Sequence, residues 1–378
     1  MRTDNRLATC SVASAALLLL CSAAHAMEAP QPAPAPAEQP PAQQRITIKP
    51  SDESAFYEKV QRVTHYRNLR DLKVPDTTLA ELARGNADVA VAALSAAARQ
   101  GSQEANVALV RVQHWCSAVA AQRVGDPKEQ IAKLPGGFPP ERASRIAGVI
   151  FAEAAFLGRA RPACARARFD YGAIEAQLRA SANAGDPASA TELAQFVRDP
   201  AQRQALLQSA VDKKYPPAMY KIATNLLIAV QRGQTTENVG SIRELLKQAG
   251  RTIPKAKLDL ANCMAVGCDG HPADALTARA FGIDAARDGE PTAFLSMVRM
   301  PWGRMQRVQL LAWQYFGDRL NEGGCMGDAY IPTSIGFAQT IPMLEKGADA
   351  KYLEAAKTQM ETFWRDHSVR ATKENGCE

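Results

Sequence analysis

A short pattern recurs along this chain: a turn residue, a small residue four positions later, and a large apolar residue four positions beyond that. GDPASATELA (185–194) carries Ser189 and Leu193, KYPPAMYKIA (214–223) Ala218 and Ile222, TIPKAKLDLA (252–261) Ala256 and Leu260, and GEPTAFLSMV (289–298) Ala293 and Met297. The small residues stand 29, 38 and 37 positions apart. Each unit runs into a second apolar-periodic segment that closes with a motif such as LLQSAVDKKY or AFGIDAARDG. Fainter copies occur at GNADVAVAAL (85–94) and GSQEANVALV (101–110). The small residue lets two antiparallel helices approach closely, and the large one fills the gap between neighbouring pairs. One such pair cannot hide its own apolar face, so the units must stack on one another.

Composition agrees with helices. Hydrophobic residues make up 46% of the chain and aromatics only 6%, alanine supplying much of the difference. Such a core suits close helix–helix packing better than a sandwich or barrel. Apolar positions in other segments also recur at helical spacing: Phe56, Val60 and Val63 after a possible cap at Ser51, and Val308, Leu311, Ala312, Tyr315 and Phe316 further on. No alternating strand pattern of useful length occurs. The expected fold is all-α, an α–α superhelix (solenoid) of stacked antiparallel helix pairs with a C-terminal helical cap.

AAARQGSQEANVAL, ASANAGDPASATELA, SAVDKKYPPAMYKIA and DAARDGEPTAFLSMV resemble the Sel-one-like repeat family, relatives of the tetratricopeptide repeats. The resemblance is best over 178–300. It is degenerate, because Ala194, Ala223, Ala261 and Val298 stand where the family usually has glycine. It implies a right-handed superhelix whose concave face serves as an adaptor surface for a protein or peptide partner, in exported bacterial members often in envelope assembly and signalling. Cysteine-rich exported relatives bind or slowly hydrolyse β-lactams or cell-wall fragments. That gives an alternative function, although the cysteines here are sparser than in those relatives.

The first residues look like a secretory leader. Arg2 and Arg6 form a positive start, Val12–Leu20 an apolar stretch, and Ala24 and Ala26 a cleavage signature before Met27. Cys21 follows Leu20 rather than a small residue, which disfavours lipidation. The stretch is too short to span a bilayer, and stable membrane insertion is not expected. The expected organisation is a signal peptide over 1–26, a Pro/Ala-rich linker over 27–50, an N-terminal helical region with degenerate repeats over 51–177, clear repeats over 178–320 and a helical cap over 321–378. Export to the periplasm, or beyond the cell, is the expected destination.

Beyond the leader the chain keeps Cys116, Cys164, Cys263, Cys268, Cys325 and Cys377. An even number in an oxidising compartment points to three disulfides. Of the many pairings available, the sequential one is preferred: Cys116–Cys164, Cys263–Cys268 and Cys325–Cys377. The last would tie the cap across a loop of about 50 residues, worth roughly 4 kcal/mol by chain entropy. No CxxC pair occurs and the histidines are dispersed, so neither a metal nor any other cofactor is expected.

Signatures of catalysis are missing. There is no GxSxG elbow, Ser-x-x-Lys, HExxH, P-loop or GxGxxG. His114 and Cys116 lie too close along one helix to work as a pair, so His114 is read as structural and Cys116 as disulfide-bonded. His271, in CDGHPAD, is read as helping to start the next helix. An enzyme is not expected. The net charge of +6 is spread without a basic run, which argues against a nucleic-acid partner. If the first helix of each unit lines a concave face, positions three, six and seven after its small residue point inward. The rule selects Glu192, Lys221, Asn225, Asp259, Asn262 and Arg299, whose mixed charges suit a polar peptide or protein segment. Trp313, in LLAWQYF, reads as core, and Trp302, in MPWGRM, as the tryptophan most open to a partner.

Overall fold

A computed structural model describes residues 50–377 apart from 123–124, 135, 137, 235–238 and 304. The expected leader and the expected linker up to residue 49 lie outside the described residues. The described residues form α-helices and two short 3-10 turns, with no strand among them. In chain order the helices are α1 (Pro50–Leu69), α2 (Asp76–Arg84), α3 (Ala87–Arg99), α4 (Gln103–Ala121), α5 (Pro127–Ala132), α6 (Pro140–Arg166), α7 (Tyr171–Asn183), α8 (Pro187–Leu193) and α9 (Pro200–Asp212). They continue with α10 (Pro216–Gln231), α11 (Ile242–Ala249), α12 (Pro254–Val266), α13 (Ala275–Arg287), α14 (Pro291–Arg299), α15 (Arg307–Glu322), α16 (Tyr330–Glu345) and α17 (Ala350–Glu374). None is long and apolar enough to cross a membrane.

Local chemistry explains the repeated helix starts. Pro opens α8, α9, α10, α12 and α14, where its missing N–H costs nothing. Before it, Asp186, Asp199 and Glu290 accept hydrogen bonds from backbone amides in the first turn. Four positions before the small residue the backbone is left-handed at Gly101, Gly185 and Gly289, with φ of 92°, 94° and 74°. In the α9–α10 turn Lys214 takes that place at φ 58°, the one described non-glycine residue with positive φ.

The repeat pattern fixes the packing. Ser189, Ala218, Ala256 and Ala293 are each fully buried, and Leu193, Ile222, Leu260 and Met297 are buried beside them. From α7 to α15 each helix packs on the next in the chain. The small residue lies where two helices press closest, so a larger side chain there would push the pair apart. The result is an all-α stack of consecutive helix pairs.

Two features depart from a simple open array. The long α6 leaves the sequential order and packs on α1, α3 and α4. In addition, α1 reaches the far end of the chain and packs on the 3-10 turn Gly327–Ala329. The half-buried Arg67 guanidinium donates to the carbonyls of Cys325 and Met326, each at 3.0 Å, and to Asn375 Oδ1 at 2.9 Å. Arg70 bonds the Glu374 carbonyl, and Phe56 stacks edge-on against Tyr330 at 5.0 Å. The first described helix therefore clasps the last segment. Disulfides join Cys116 to Cys164, Cys263 to Cys268 and Cys325 to Cys377, the sequential set. The third anchors the end of α17 beside the carbonyls that Arg67 holds.

Candidate functional site

Between α1 and α6 on one side and α4, α8 and α10 on the other lies a cavity of about 1320 Å³, completed by the turn 251–253, Asp328 and Glu374. Aromatic rings from Tyr57, Tyr66, Trp115, Phe156, Tyr215 and Tyr220 line it beside charged groups of both signs.

Its floor is an ion network centred on Arg111 of α4. The guanidinium Nη2 donates to Asp71 Oδ2 at 2.9 Å, and Nε donates to Glu192 Oε1 at 2.9 Å. The Tyr215 hydroxyl donates to the same Asp71 oxygen at 2.6 Å. Burial pushes the Asp71 carboxyl up, but the hydrogen bonds and charge of Arg111 outweigh it and hold the group below the usual carboxylate range. Burial and the Asp71 charge together push the Tyr215 hydroxyl well above the tyrosine range. This floor sets one guanidinium between two carboxylates, a preorganised surface that leaves an excess of one negative charge.

Above the floor several groups keep their donors unspent. The Lys221 ammonium makes no hydrogen bond or ion pair with a described residue, and burial lowers its affinity for a proton although Glu192 opposes the effect. Asn225, one turn further along α10, is exposed, as are His114 and Arg251. On the opposite wall burial raises the Glu153 carboxyl, which accepts from Gln122 Nε2 at 3.1 Å.

Of the residues selected from the sequence, Glu192, Lys221 and Asn225 line this cavity together. Asp259 stands just behind, accepting the Tyr220 hydroxyl at 2.8 Å. Asn262 is half-buried on α12, its Oδ1 enclosed without a hydrogen-bond partner. Arg299 is exposed but does not line the cavity, because the wall is completed by α1 and not by α14. Trp302 corrects the expectation of an open ring: it is 2% exposed. Its indole lies against Gly282 of α13, where a Cβ would overlap the ring. His114 is exposed and faces the cavity, while Cys116 bonds Cys164 as expected and does not pair with it. In the turn that holds His271, the side chain that caps α13 is Asp274, accepting from the Thr277 amide at 3.0 Å.

Sequence reasoning missed Arg111, Asp71 and the α1 wall. Arg111 was within reach, because six positions after Ala105 in the fainter copy GSQEANVALV is Arg111 itself. Nothing in the repeat pattern pointed to α1, which lies outside it.

No family model and no curated protein match this chain. Among solved structures it is similar to a protective antigen of uropathogenic Escherichia coli displaying an SLR fold, at 15% identity and a TM-score of 0.34, covering 83% of this chain and 85% of that one. A superposition that loose carries no weight for the site.

Proposed function

We propose that this chain is an exported, non-catalytic helical-repeat protein of the cell envelope that binds a segment of a partner protein in its cavity. The observation that carries this reading is the lining itself: six aromatic rings beside unspent donors on Lys221, Asn225 and Arg251, over a floor in which Arg111 holds the Asp71 and Glu192 carboxylates in place. Aromatic and arginine-rich linings of this kind favour polypeptide, which offers apolar side chains and backbone carbonyls together. The cavity also exceeds the ~300–1,000 Å³ typical of small-molecule pockets. Three disulfides accord with folding in an oxidising compartment.

The test is site-specific photo-crosslinking in the source cell envelope, with the photoreactive residue at position 225 inside the cavity or at the exposed position 208 of α9. The expected result is one protein adduct from position 225, strongly reduced by Lys221→Ala combined with Tyr220→Phe, and none from position 208. Equal adducts from both positions, or none from 225, would overturn the reading.

A further inference from the structure

The turn after α12 gathers more chemistry than a helix stop requires. Gly267, left-handed at φ 74°, ends the helix, and its amide donates to the Cys263 carbonyl at 2.9 Å. The chain then places Cys268, Asp269 and His271 within one loop. The sulfurs of Cys263 and Cys268 and a carboxylate oxygen of Asp269 all lie within 4.8 Å of one another. The Asp269 side chain is fully enclosed, with its Oδ2 2.8 Å from Arg243 Nε and 3.1 Å from His271 Nδ1. His271 itself is more than half exposed, so its ring can turn.

This disulfide also differs from the other two. It spans 5 residues of sequence, against 48 and 52. A bond closing so short a loop removes least entropy from the unfolded chain. The turn is held without it, by the Gly267 and Cys268 amides on the Cys263 carbonyl and the Asp274 amide on the Met264 carbonyl at 2.8 Å. Cys268 is partly exposed, as is Cys164 of the first disulfide, whereas both sulfur-bearing residues of the third, Cys325 and Cys377, are buried; the short loop is what sets Cys263–Cys268 apart.

We propose that reduction of Cys263–Cys268 turns this loop into a zinc site with Cys263, Cys268, Asp269 and His271 as ligands. The reductant is a dithiol. Its thiolate attacks the accessible Cys268 sulfur, the S–S bond breaks, and the electron pair leaves on Cys263. The second thiol of the reductant then displaces Cys268, so the reductant departs as a cyclic disulfide and the protein gains two electrons and two protons. Zinc binds the two sulfurs as thiolates and releases those protons to solvent, with no change in its own oxidation state. Two thiolates, one carboxylate, a divalent cation and the Arg243 guanidinium sum to zero charge. Arg243 thus acts as the outer partner that orients the Asp269 carboxylate. Two sulfurs, one nitrogen and one oxygen form a donor set that zinc accepts in tetrahedral geometry. The sequence hid the site because C-x4-C is wider than a zinc CxxC and the other two ligands follow the second cysteine.

The test uses the full folded chain, titrated with dithiothreitol, with opened disulfides mapped by alkylation and mass spectrometry. Cys263–Cys268 is expected to open first, with helical circular dichroism unchanged. Isothermal titration with zinc should then give one site per chain, and cobalt substituted for zinc should give a thiolate charge-transfer band. Cys263→Ser with Cys268→Ser should abolish both signals, and His271→Ala should weaken zinc by at least about tenfold. Asp269→Asn should do the same, but His271 is exposed, so its variant keeps the test valid even if Asp269→Asn unfolds. Earlier opening of another disulfide, no zinc beyond the double-serine variant, or wild-type affinity in His271→Ala would each overturn the proposal.

Discussion

Arg67 Nη1 donates to the Met326 carbonyl at 3.0 Å, a bond between residues 259 positions apart. With the Cys325 carbonyl and Asn375 Oδ1 it completes a three-acceptor clasp on one half-buried guanidinium. Arg67→Ala is expected to lower unfolding stability by about 2–3 kcal/mol, since three acceptors lose a charged donor in a half-buried setting. Arg67→Lys recovers only part, because an ammonium cannot match the planar fork. Urea unfolding of both variants checks this. A loss under about 0.5 kcal/mol for Arg67→Ala would show that the clasp is incidental.

Lys214 occupies the left-handed position that glycine fills in three sibling turns. A side chain there costs roughly 1 kcal/mol relative to glycine. Lys214→Gly is therefore expected to raise the thermal midpoint by a few degrees. A lower midpoint would mean that the exposed Lys214 side chain has a role not visible in the turn.

Gly282→Ala should destabilise by about 1–3 kcal/mol, because the new methyl meets the Trp302 ring in a closed core. A shift of tryptophan emission to longer wavelength should accompany it as the indole is displaced. Unchanged emission with unchanged stability would count against that packing.

His65 is fully enclosed beside Trp115, ring centroids 4.7 Å apart, and burial lowers its pKa to about 4. Its unfolded value is near 6.5, so between those limits the unfolded chain takes up a proton that the native protein refuses. Stability is expected to fall as pH drops from about 6.5 to about 4, by about 3 kcal/mol in all, and this contribution stays level below that range. Denaturant midpoints across this range, compared with His65→Gln, isolate the effect. An identical slope in the variant would assign the loss to other groups.

The packing was legible where one side chain decides it locally. Ala218 and Ala256 are fully enclosed because a helix contact needs a small residue there, and their spacing announced it. Lys221 and Asn225 followed from the same register. Trp302 misled because its Pro and Gly neighbours suggest a loop at the surface; the space it fills is made by the missing side chain of Gly282, twenty residues earlier. The α1 wall and its clasp were out of reach for another reason. Arg67 sits in a charged helix like any other, and its partners are backbone groups at the other end of the chain, which carry no sequence signature.

An array whose first helix grips its last segment has a settled membership. Inserting one more helix pair between α9 and α13 would carry Met326 and Asn375 away from Arg67, so gain or loss of a unit is penalised here in a way that a filament of identical modules never experiences. For the same reason the ends cannot peel away one pair at a time, and the chain is built to melt as one body.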